Sequence, residues 1–169
     1  MANVIRLRKG LNINLKGRAS EQVSKAVVSG EYALVPDGFV GVTPIVVVHE
    51  GDYVKAGDAL FVNKHYPDVK FSSPVSGQVV AVERGERRKV LCVKVKAEDE
   101  QHYQSFDTLD VKAAEGSQVI DLLLKAGLFG YINQLPYAVS TNPTVMPKAI
   151  FVSALRDMPL AADFEVELK

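Results

Sequence analysis

The chain has 169 residues, of which 47% are hydrophobic, and its 20 basic residues balance 20 acidic ones. This composition is ordinary for a globular protein and excludes large-scale disorder. Because the formal net charge is zero, no overall field attracts nucleic acid, and a nucleic-acid function is disfavoured. No segment reaches the ~20 apolar residues that a membrane-spanning helix needs. The start MANVIRLRKG has no apolar stretch typical of a signal peptide, so the sequence predicts neither element.

From Met1 to about Val95 the chain consists of Val-rich runs separated by Gly, Pro and Asp. This pattern is typical of short strands joined by tight turns. The predicted strands are Tyr32–Val35, Thr43–Val48, Ala59–Asn63, Lys70–Ser72, Gly77–Val82 and Val90–Lys96. No long amphipathic helix is predicted in this part.

A local repeat, GDYVKAGDAL, lies inside the β-rich part. Its Gly-Asp pairs at 51–52 and 57–58 each predict a turn, because Gly adopts positive φ freely and Asp hydrogen-bonds its own backbone. The residues after each turn are expected to point into one core. The residues predicted to pack there are Val54, Leu60, Val69 and Phe71.

Side chains capable of chemistry are few and scattered. The only cysteine, Cys92, lies in the alternating run KVLCVKVKA, which favours a half-buried structural position over a reactive thiol. His49, His65 and His102 have no carboxylate or cysteine at ligand spacing, so no metal site is predicted. No G-x-S-x-G, P-loop or intact dinucleotide fingerprint occurs. The sequence therefore predicts no catalytic residues.

Basic residues surround Gly85 in the run VERGERRKV. The pattern predicts the solvated tip of a hairpin between the strands Gly77–Val82 and Val90–Lys96. The alternative interpretation is a basic handle for a partner or for anionic headgroups. The charged residues concerned are Arg84, Glu86, Arg87, Arg88 and Lys89.

After a polar bridge the hydrophobic period becomes helical, with Ser117 as the predicted N-cap and Gly127 as the predicted stop. The apolar residues with this spacing are Val119, Ile120, Leu122, Leu123, Leu124 and Leu128. A loop with three prolines and a strand-like run, Lys148–Ser153, follow. A helix, a loop and a buried strand predict the opening of an α/β domain. The predicted domains are residues 1–105 and an incomplete 106–169, so the chain is expected to be the N-terminal piece of a longer protein.

Lys64 raises the question of a covalent cofactor. The stretch HEGDYVKAGDALFVNKHYPDVKFSSPVSG around it resembles the hairpin that presents a biotinyl or lipoyl lysine. In such carriers the lysine is at the tip of a tight hairpin, eight residues before the proline of a Ser-Pro pair. Counting back from Pro74 gives Tyr66, so Lys64 lies two residues too early. The longer turn, with Pro67 and Asp68, predicts an unmodified lysine; the alternative is a carrier domain modified on Lys64.

The chain as a whole resembles one family. The segments IRLRKGLNINLKG, KFSSPVSGQVVAVERGERRKV, LLLKAGLF and PKAIFVSALRDMPLAA, with the Gly-Asp repeat, together resemble the A-subunit family of the sodium-translocating NADH:quinone oxidoreductase of bacterial membranes. The resemblance implies a mainly β, barrel-sandwich hybrid fold of the biotinyl/lipoyl type. It also implies that the beginning of an α/β domain follows, related to the flavin-binding subunit of respiratory complex I.

The resemblance implies a peripheral subunit on the cytoplasmic face of the bacterial inner membrane, in a complex that couples NADH oxidation and quinone reduction to Na⁺ export. NADH, FAD, FMN and 2Fe-2S belong to the partner subunits. Flavin-binding relatives cradle phosphate in a Gly-rich loop, whereas AGLFGYINQLPY keeps Gly127 and Gly130 but has bulkier residues at 131–134. The acidic strand end of those relatives is reduced to Asp157 before Pro159. Both departures predict that this part of the complex has no flavin or other bound cofactor.

Ubiquinone or menaquinone is the substrate that the resemblance implies. The predicted contact is the apolar stretch from Leu128 to Tyr137, since a quinone ring needs a weakly polar-lined apolar cleft. Phe129, Tyr131 and Tyr137 are predicted to stack on the ring, and Gln134 is predicted to hydrogen-bond a carbonyl oxygen. The alternative is that these aromatic residues fill the core beneath the C-terminal part of the family.

Overall fold

The structure, a computed structural model, describes residues 15–17, 19–25, 28–152 and 160–162. Val28–Met146 form one compact unit, and the remaining described residues belong to a second. In chain order the elements of the first unit are β1 (Glu31–Leu34), β2 (Pro44–Val46), β3 (Tyr53–Val54), β4 (Ala59–Asn63), β5 (Lys70–Ser72), β6 (Gly77–Arg84), β7 (Val90–Ala97), α1 (Gly116–Lys125), β8 (Asn133–Gln134) and β9 (Val139–Ser140). Short 3-10 helices span Pro36–Gly38, Glu86–Arg88 and Phe129–Tyr131.

Two antiparallel sheets make up the β part. One has the strand order β1-β7-β6-β3 and the other β2-β4-β5. Side chains from both sheets enter one apolar core, which excludes water from their inner faces. The residues of this core are Val54, Leu60, Phe61, Val69, Phe71, Val79, Val93, Val95 and Phe129.

The four residues predicted for this core are all buried, with exposures of 0% to 3%, so that prediction is confirmed. The predicted bounds of β4 and β5 are also confirmed, and those of β1, β2, β6 and β7 differ by one or two residues. Strand β3 was missed. It consists of Tyr53 and Val54, which pair with Gln78 and Gly77, and two residues show no detectable period.

The two Gly-Asp turns have the same geometry. The His49 N–H donates to Asp52 Oδ2 in the first, and the Lys55 N–H donates to Asp58 Oδ2 in the second, both with an N···O distance of 2.7 Å. The glycine within each turn has positive φ, 94° and 103° respectively. The sequence repeat is therefore a repeat of structure, in which each aspartate caps its own turn.

Helix α1 begins with a capping box that differs from the prediction. Glu115, not Ser117, is the N-cap: its side chain accepts from the N–H of Gln118, and the Glu115 N–H donates to Gln118 Oε1 at 3.0 Å. A longer carboxylate with a glutamine three residues later satisfies two N–H groups, whereas a serine at 117 satisfies none here. Gly127 has a φ of 70° just after the helix, which confirms the predicted stop. The residues of α1 that pack on the core are Ile120, Leu123 and Leu124.

The strand predicted at Lys148–Ser153 is wrong for residues 148–152, and Ser153 lies outside the described residues. Ile150, Phe151 and Val152 are exposed. A strand needs a neighbour for its backbone N–H and C=O groups, and no described residue pairs with this run. The apolar composition of this run was therefore insufficient to predict a strand.

Candidate functional site

Lys64 lies at the end of β4 and not at a hairpin tip. Its N–H donates to the Thr43 carbonyl at an N···O distance of 2.8 Å, which extends the pairing of β4 with β2. Residues 64–69 connect β4 to β5, and the Asn63 N–H donates to the Val69 carbonyl at 3.0 Å across the base of this loop. The backbone of Lys64 is therefore held by the sheet, while its side chain is exposed.

The tip of this hairpin folds back on the barrel. Asn63 is only 1% exposed, and its Oδ1 accepts from the His65 N–H at 3.1 Å. The Tyr66 N–H donates to the Asn63 carbonyl at 3.1 Å, and the tyrosine side chain packs against the core. The position expected of a modified lysine is thus taken by a core-packing tyrosine. This geometry does not favour a carrier modified on Lys64.

The segment after α1 lies directly on β5. A Cβ at Gly127 would be 2.1 Å from Ser72 Oγ, and a Cβ at Gly130 would be 2.6 Å from Cε1 of Phe71. Both glycines therefore permit a backbone approach that any side chain would block. The sequence predicts Gly127 to be a helix stop and both glycines to be remnants of a phosphate loop. Their packing role was missed because it depends on the strand that they face.

The four residues predicted to contact quinone have different environments. Phe129 is 5% exposed and belongs to the core. Tyr131 is 56% exposed, and its ring makes an edge contact with that of Phe39 at a centroid distance of 5.4 Å. Gln134 is exposed on β8, and Tyr137 is 81% exposed in the turn between β8 and β9. Three of the four side chains are thus accessible, and the fourth is part of the core.

A groove runs between residues 107–109 and α1, with a volume of about 210 Å³. Ligand pockets for drug-sized molecules usually have volumes of roughly 300–1,000 Å³, so this groove is small for a quinone ring with its tail. Its polar lining includes Asp107, Asp121 and Lys125. None of the four predicted quinone contacts lines it.

Cys92 is only 7% exposed, as the alternating run predicted. Its Sγ donates to Glu83 Oε2 at 3.4 Å, and Lys94 Nζ donates to Glu83 Oε1 at 2.5 Å. Burial, with the nearby carboxylate, raises the pKa of the Cys92 thiol, while the Lys94 hydrogen bond lowers the pKa of Glu83. The thiol is therefore less ionised than a free cysteine and is a poor nucleophile.

The chain that leaves β7 is held against the barrel by Ser76. This serine is fully buried; its Oγ accepts from the His102 N–H at 2.8 Å, and its N–H donates to Gln101 Oε1 at 2.8 Å. Nearby, the Tyr53 hydroxyl donates to Glu98, which lowers the pKa of the Glu98 carboxyl and raises the pKa of Tyr53. These contacts fix residues 98–104 beside β3. They are structural, because every polar atom named here already has a partner.

Over the residues that the structure describes, no group of three or more His, Cys, Asp or Glu side chains is close enough to hold a metal ion. The same part of the chain contains no helix of sufficient length and apolar character to cross a membrane.

The two sheets, the paired Gly-Asp turns and the β4–β5 hairpin define a barrel-sandwich hybrid of the biotinyl/lipoyl type, with a lengthened tip and no lysine at the modified position. Comparison with known families agrees: the NqrA N-terminal barrel-sandwich hybrid domain matches residues 5–98, and the NqrA second alpha/beta domain matches residues 114–169. The chain belongs to the NqrA family.

Curated relatives are named as the A component of a Na(+)-translocating NADH-quinone reductase. The chain is 33% identical to that of Photorhabdus laumondii over 165 residues and 34% identical to that of Serratia proteamaculans over 167 residues, covering 96% of this chain in both cases. It is 33% identical over 168 residues to that of Actinobacillus pleuropneumoniae serotype 5b, covering 98% of this chain. The chain spans 37% of the length of each of these relatives.

Proposed function

We propose that this chain provides the first part of a peripheral, cofactor-free subunit of a membrane complex that couples NADH oxidation and quinone reduction to Na⁺ export. The observation that carries the proposal is the order of two NqrA domains along one chain, at residues 5–98 and 114–169. A carrier module would account for the first domain alone. The names of the relatives supply the reaction, and the partners are then the other subunits of that complex.

The role follows from what the β4–β5 hairpin does here. Tyr66 covers the core where a carrier presents its lysine, and β5 is covered by the backbone at Gly127 and Gly130. A hairpin that packs on the core through Tyr66 and is covered along β5 suits a scaffold more than an arm that carries a group between active sites. The chain then acts in the complex by holding surfaces in place at the cytoplasmic face of the membrane.

Co-purification tests this proposal. The full-length protein, tagged at its C-terminus, is purified from detergent-solubilised membranes of the organism that produces it. Membrane subunits that contain flavin and iron–sulfur centres should co-elute with it, together with NADH:quinone reductase activity, while the separated protein should show no flavin absorbance. An untagged strain controls for carry-over. A yellow isolated protein with bound FMN, or a tagged protein that elutes without membrane partners, would refute the proposal.

A quinone contact at Leu128–Tyr137 is the finer part of the proposal. Tyr131, Gln134 and Tyr137 have accessible side chains, which suits two stacking rings and one hydrogen-bond donor for a quinone carbonyl. Phe129 would have to leave the core to take part, so we assign the contact to the other three.

Photoreactive quinone on the assembled complex tests this contact. Trypsin cleaves after Lys125 and next after Lys148, so one peptide, 126–148, contains the whole stretch. Quinone label is expected on that peptide, and the amount of label on it should be lower in the Y131A/Y137A variant. Y103A is the matched control, since Tyr103 is 72% exposed and lies outside the peptide. Labelling confined to the partner proteins would remove the quinone contact but would leave the place of this chain in the complex intact.

The carrier alternative has its own measurement. Intact mass of the protein from cells with active biotin and lipoate ligases should equal the unmodified mass, because those ligases require a lysine at a tight hairpin tip. A mass increase of one biotinyl or lipoyl group, lost in K64R, would establish a carrier instead.

A further inference from the structure

The hairpin of β6 and β7 extends beyond the core and ends in a basic tip. From Gly77 to Val82, β6 is buried or half-buried except at Gln78 and Val80. Its last two residues, Glu83 and Arg84, are both exposed. The tip is defined here as residues 84–89, of which all but Gly85 are exposed. No residue of this tip lines the groove beside α1, and small-ligand sites are concave.

Two arginines in the tip have left-handed backbone conformations. Arg87 has a φ of 54° and Arg88 a φ of 60°, a region that Gly or Asn occupies at lower cost. Non-Gly residues held in such conformations cluster at functional sites, where side-chain identity matters more than backbone ease. Arginine therefore occupies two positions at which Gly or Asn would stabilise the turn.

The tip contains three arginines, one lysine and one carboxylate, Glu86. Lys89 Nζ pairs with Asp37 at 2.6 Å, and Lys94 Nζ pairs with Glu83 at 2.5 Å. Among the residues that the structure describes, no carboxylate lies within ion-pair distance of Arg84, Arg87 or Arg88. The Lys89 pair anchors the base of the tip to the 3-10 helix at Pro36–Gly38. The Lys89 pair therefore joins the tip to the residues before β2. Within the described part of the chain, the guanidinium groups of Arg87 and Arg88 are exposed without a carboxylate partner, and that of Arg84 donates only to the Arg88 carbonyl, at 3.4 Å.

We propose that this tip binds the phosphate groups of anionic phospholipids at a bilayer surface. Guanidinium groups match phosphate oxygens through paired N–H donors, and an exposed basic tip needs no shape-complementary partner to bind a bilayer. An acidic protein surface would need about 800 Å² of packed area with an apolar centre, and Leu91, an apolar side chain next to the tip, packs over Gly85. The choice of a bilayer rests on the proposed place of the chain in a membrane complex.

Vesicle flotation at low ionic strength tests the proposal with the 169-residue chain. The vesicles contain phosphatidylcholine alone or with about one-third phosphatidylglycerol. At roughly fivefold per arginine, R84Q/R87Q/R88Q should lower the partition coefficient on the anionic vesicles about 100-fold. The matched control K55Q/K112Q/K125Q removes the same charge from exposed positions elsewhere and should retain most of the binding. R87G/R88G should lose most of the binding while its Tm is unchanged or raised, which separates lost contacts from misfolding.

The outcomes are distinct. Preference for anionic vesicles that is lost only in the tip variants supports the proposal. Equal losses in the control and tip variants, or no preference for anionic vesicles, overturn it. Binding of inorganic phosphate in the absence of vesicles that is lost in R84Q/R87Q/R88Q, together with no preference for anionic vesicles, assigns the tip to a soluble phosphate ligand and overturns it as well. A triple arginine variant that binds vesicles normally but no longer joins the complex also overturns it, since the partner is then an acidic protein. Co-purification of the unaltered protein is independent of all these results, so the proposed function can stand where this inference fails.

Discussion

Replacing Gly127 by alanine should destabilise the unit that contains the barrel, because two costs coincide at that position. The left-handed backbone at a φ of 70° costs an alanine roughly 1–2 kcal/mol. The new Cβ would also lie 2.1 Å from Ser72 Oγ, and overpacking of this kind costs about 1–3 kcal/mol. The expected loss in the free energy of unfolding is therefore about 2–5 kcal/mol.

A double-mutant cycle with Ser72 separates the two costs. Ser72 Oγ is buried without a hydrogen-bond partner, so S72A alone should be neutral or stabilising by up to about 1 kcal/mol. In G127A/S72A the overlap with Oγ is gone, and at least ~1 kcal/mol should return. Gly51 is the matched control: it has a φ of 94° and no atom within 4 Å of an added Cβ. G51A should therefore show the backbone cost alone, with or without S72A.

Urea unfolding followed by far-UV circular dichroism, with tyrosine fluorescence as a second probe in this tryptophan-free chain, supplies the free energies. A G127A loss no larger than that of G51A would refute the contact between the loop and β5. Strict additivity of G127A and S72A would refute it equally, because a shared contact must couple the two sites.

Three further predictions follow from local contacts. D52A and D58A should each lower the free energy of unfolding by a similar amount, about 1 kcal/mol, since each removes one turn cap; unequal losses by urea titration would contradict the structural repeat. Cys92 should react with iodoacetamide only after denaturation, because burial raises its pKa; rapid labelling of the native chain would disprove this. The hydrogen bond from Tyr53 lowers the pKa of Glu98 below the ordinary 4.5. The stabilisation from this hydrogen bond is present when the pH is above the ordinary pKa of Glu98 and is lost as the pH falls through its lowered pKa. Because Y53F lacks the hydrogen bond, its urea midpoint should fall less in acid than that of the unaltered chain.

Most of the barrel could be predicted because its signals are local. The second Gly-Asp turn indicates where β4 begins, and alternation identifies buried faces such as those of Leu60 and Phe71. Strand β3 could not be predicted from local signals, since its existence depends on Gln78 and Gly77 in a distant part of the chain. The strand predicted at 148–153 was wrong for residues 148–152. That run is apolar, but no described residue pairs with its backbone, and a strand needs such a partner.

The candidate site was predictable only in part. The register count from Pro74 gave Tyr66 at the position where a carrier has its lysine, and in the structure Tyr66 packs against the core. The four predicted quinone contacts lie close together in sequence, yet only Phe129 is buried. Phe129 and Tyr131 belong to the same short 3-10 helix, but Phe129 packs in the core while the ring of Tyr131 contacts that of Phe39. Sequence proximity could not distinguish a core aromatic from an exposed one.

A swinging-arm carrier requires a hairpin whose tip moves freely and whose edge strand stays uncovered, so that a partner enzyme can approach the modified lysine. Neither condition holds in this chain. Tyr66 anchors the tip to the core, and the glycines at 127 and 130 bring the backbone after α1 within contact of β5. Gly127 and Gly130 lie in the same compact unit as the barrel, Val28–Met146, and fall in the segment that matches the NqrA second alpha/beta domain, residues 114–169. The residues after α1 therefore cover β5, the edge strand of its sheet, and this arrangement suits a fixed hairpin and not a swinging arm.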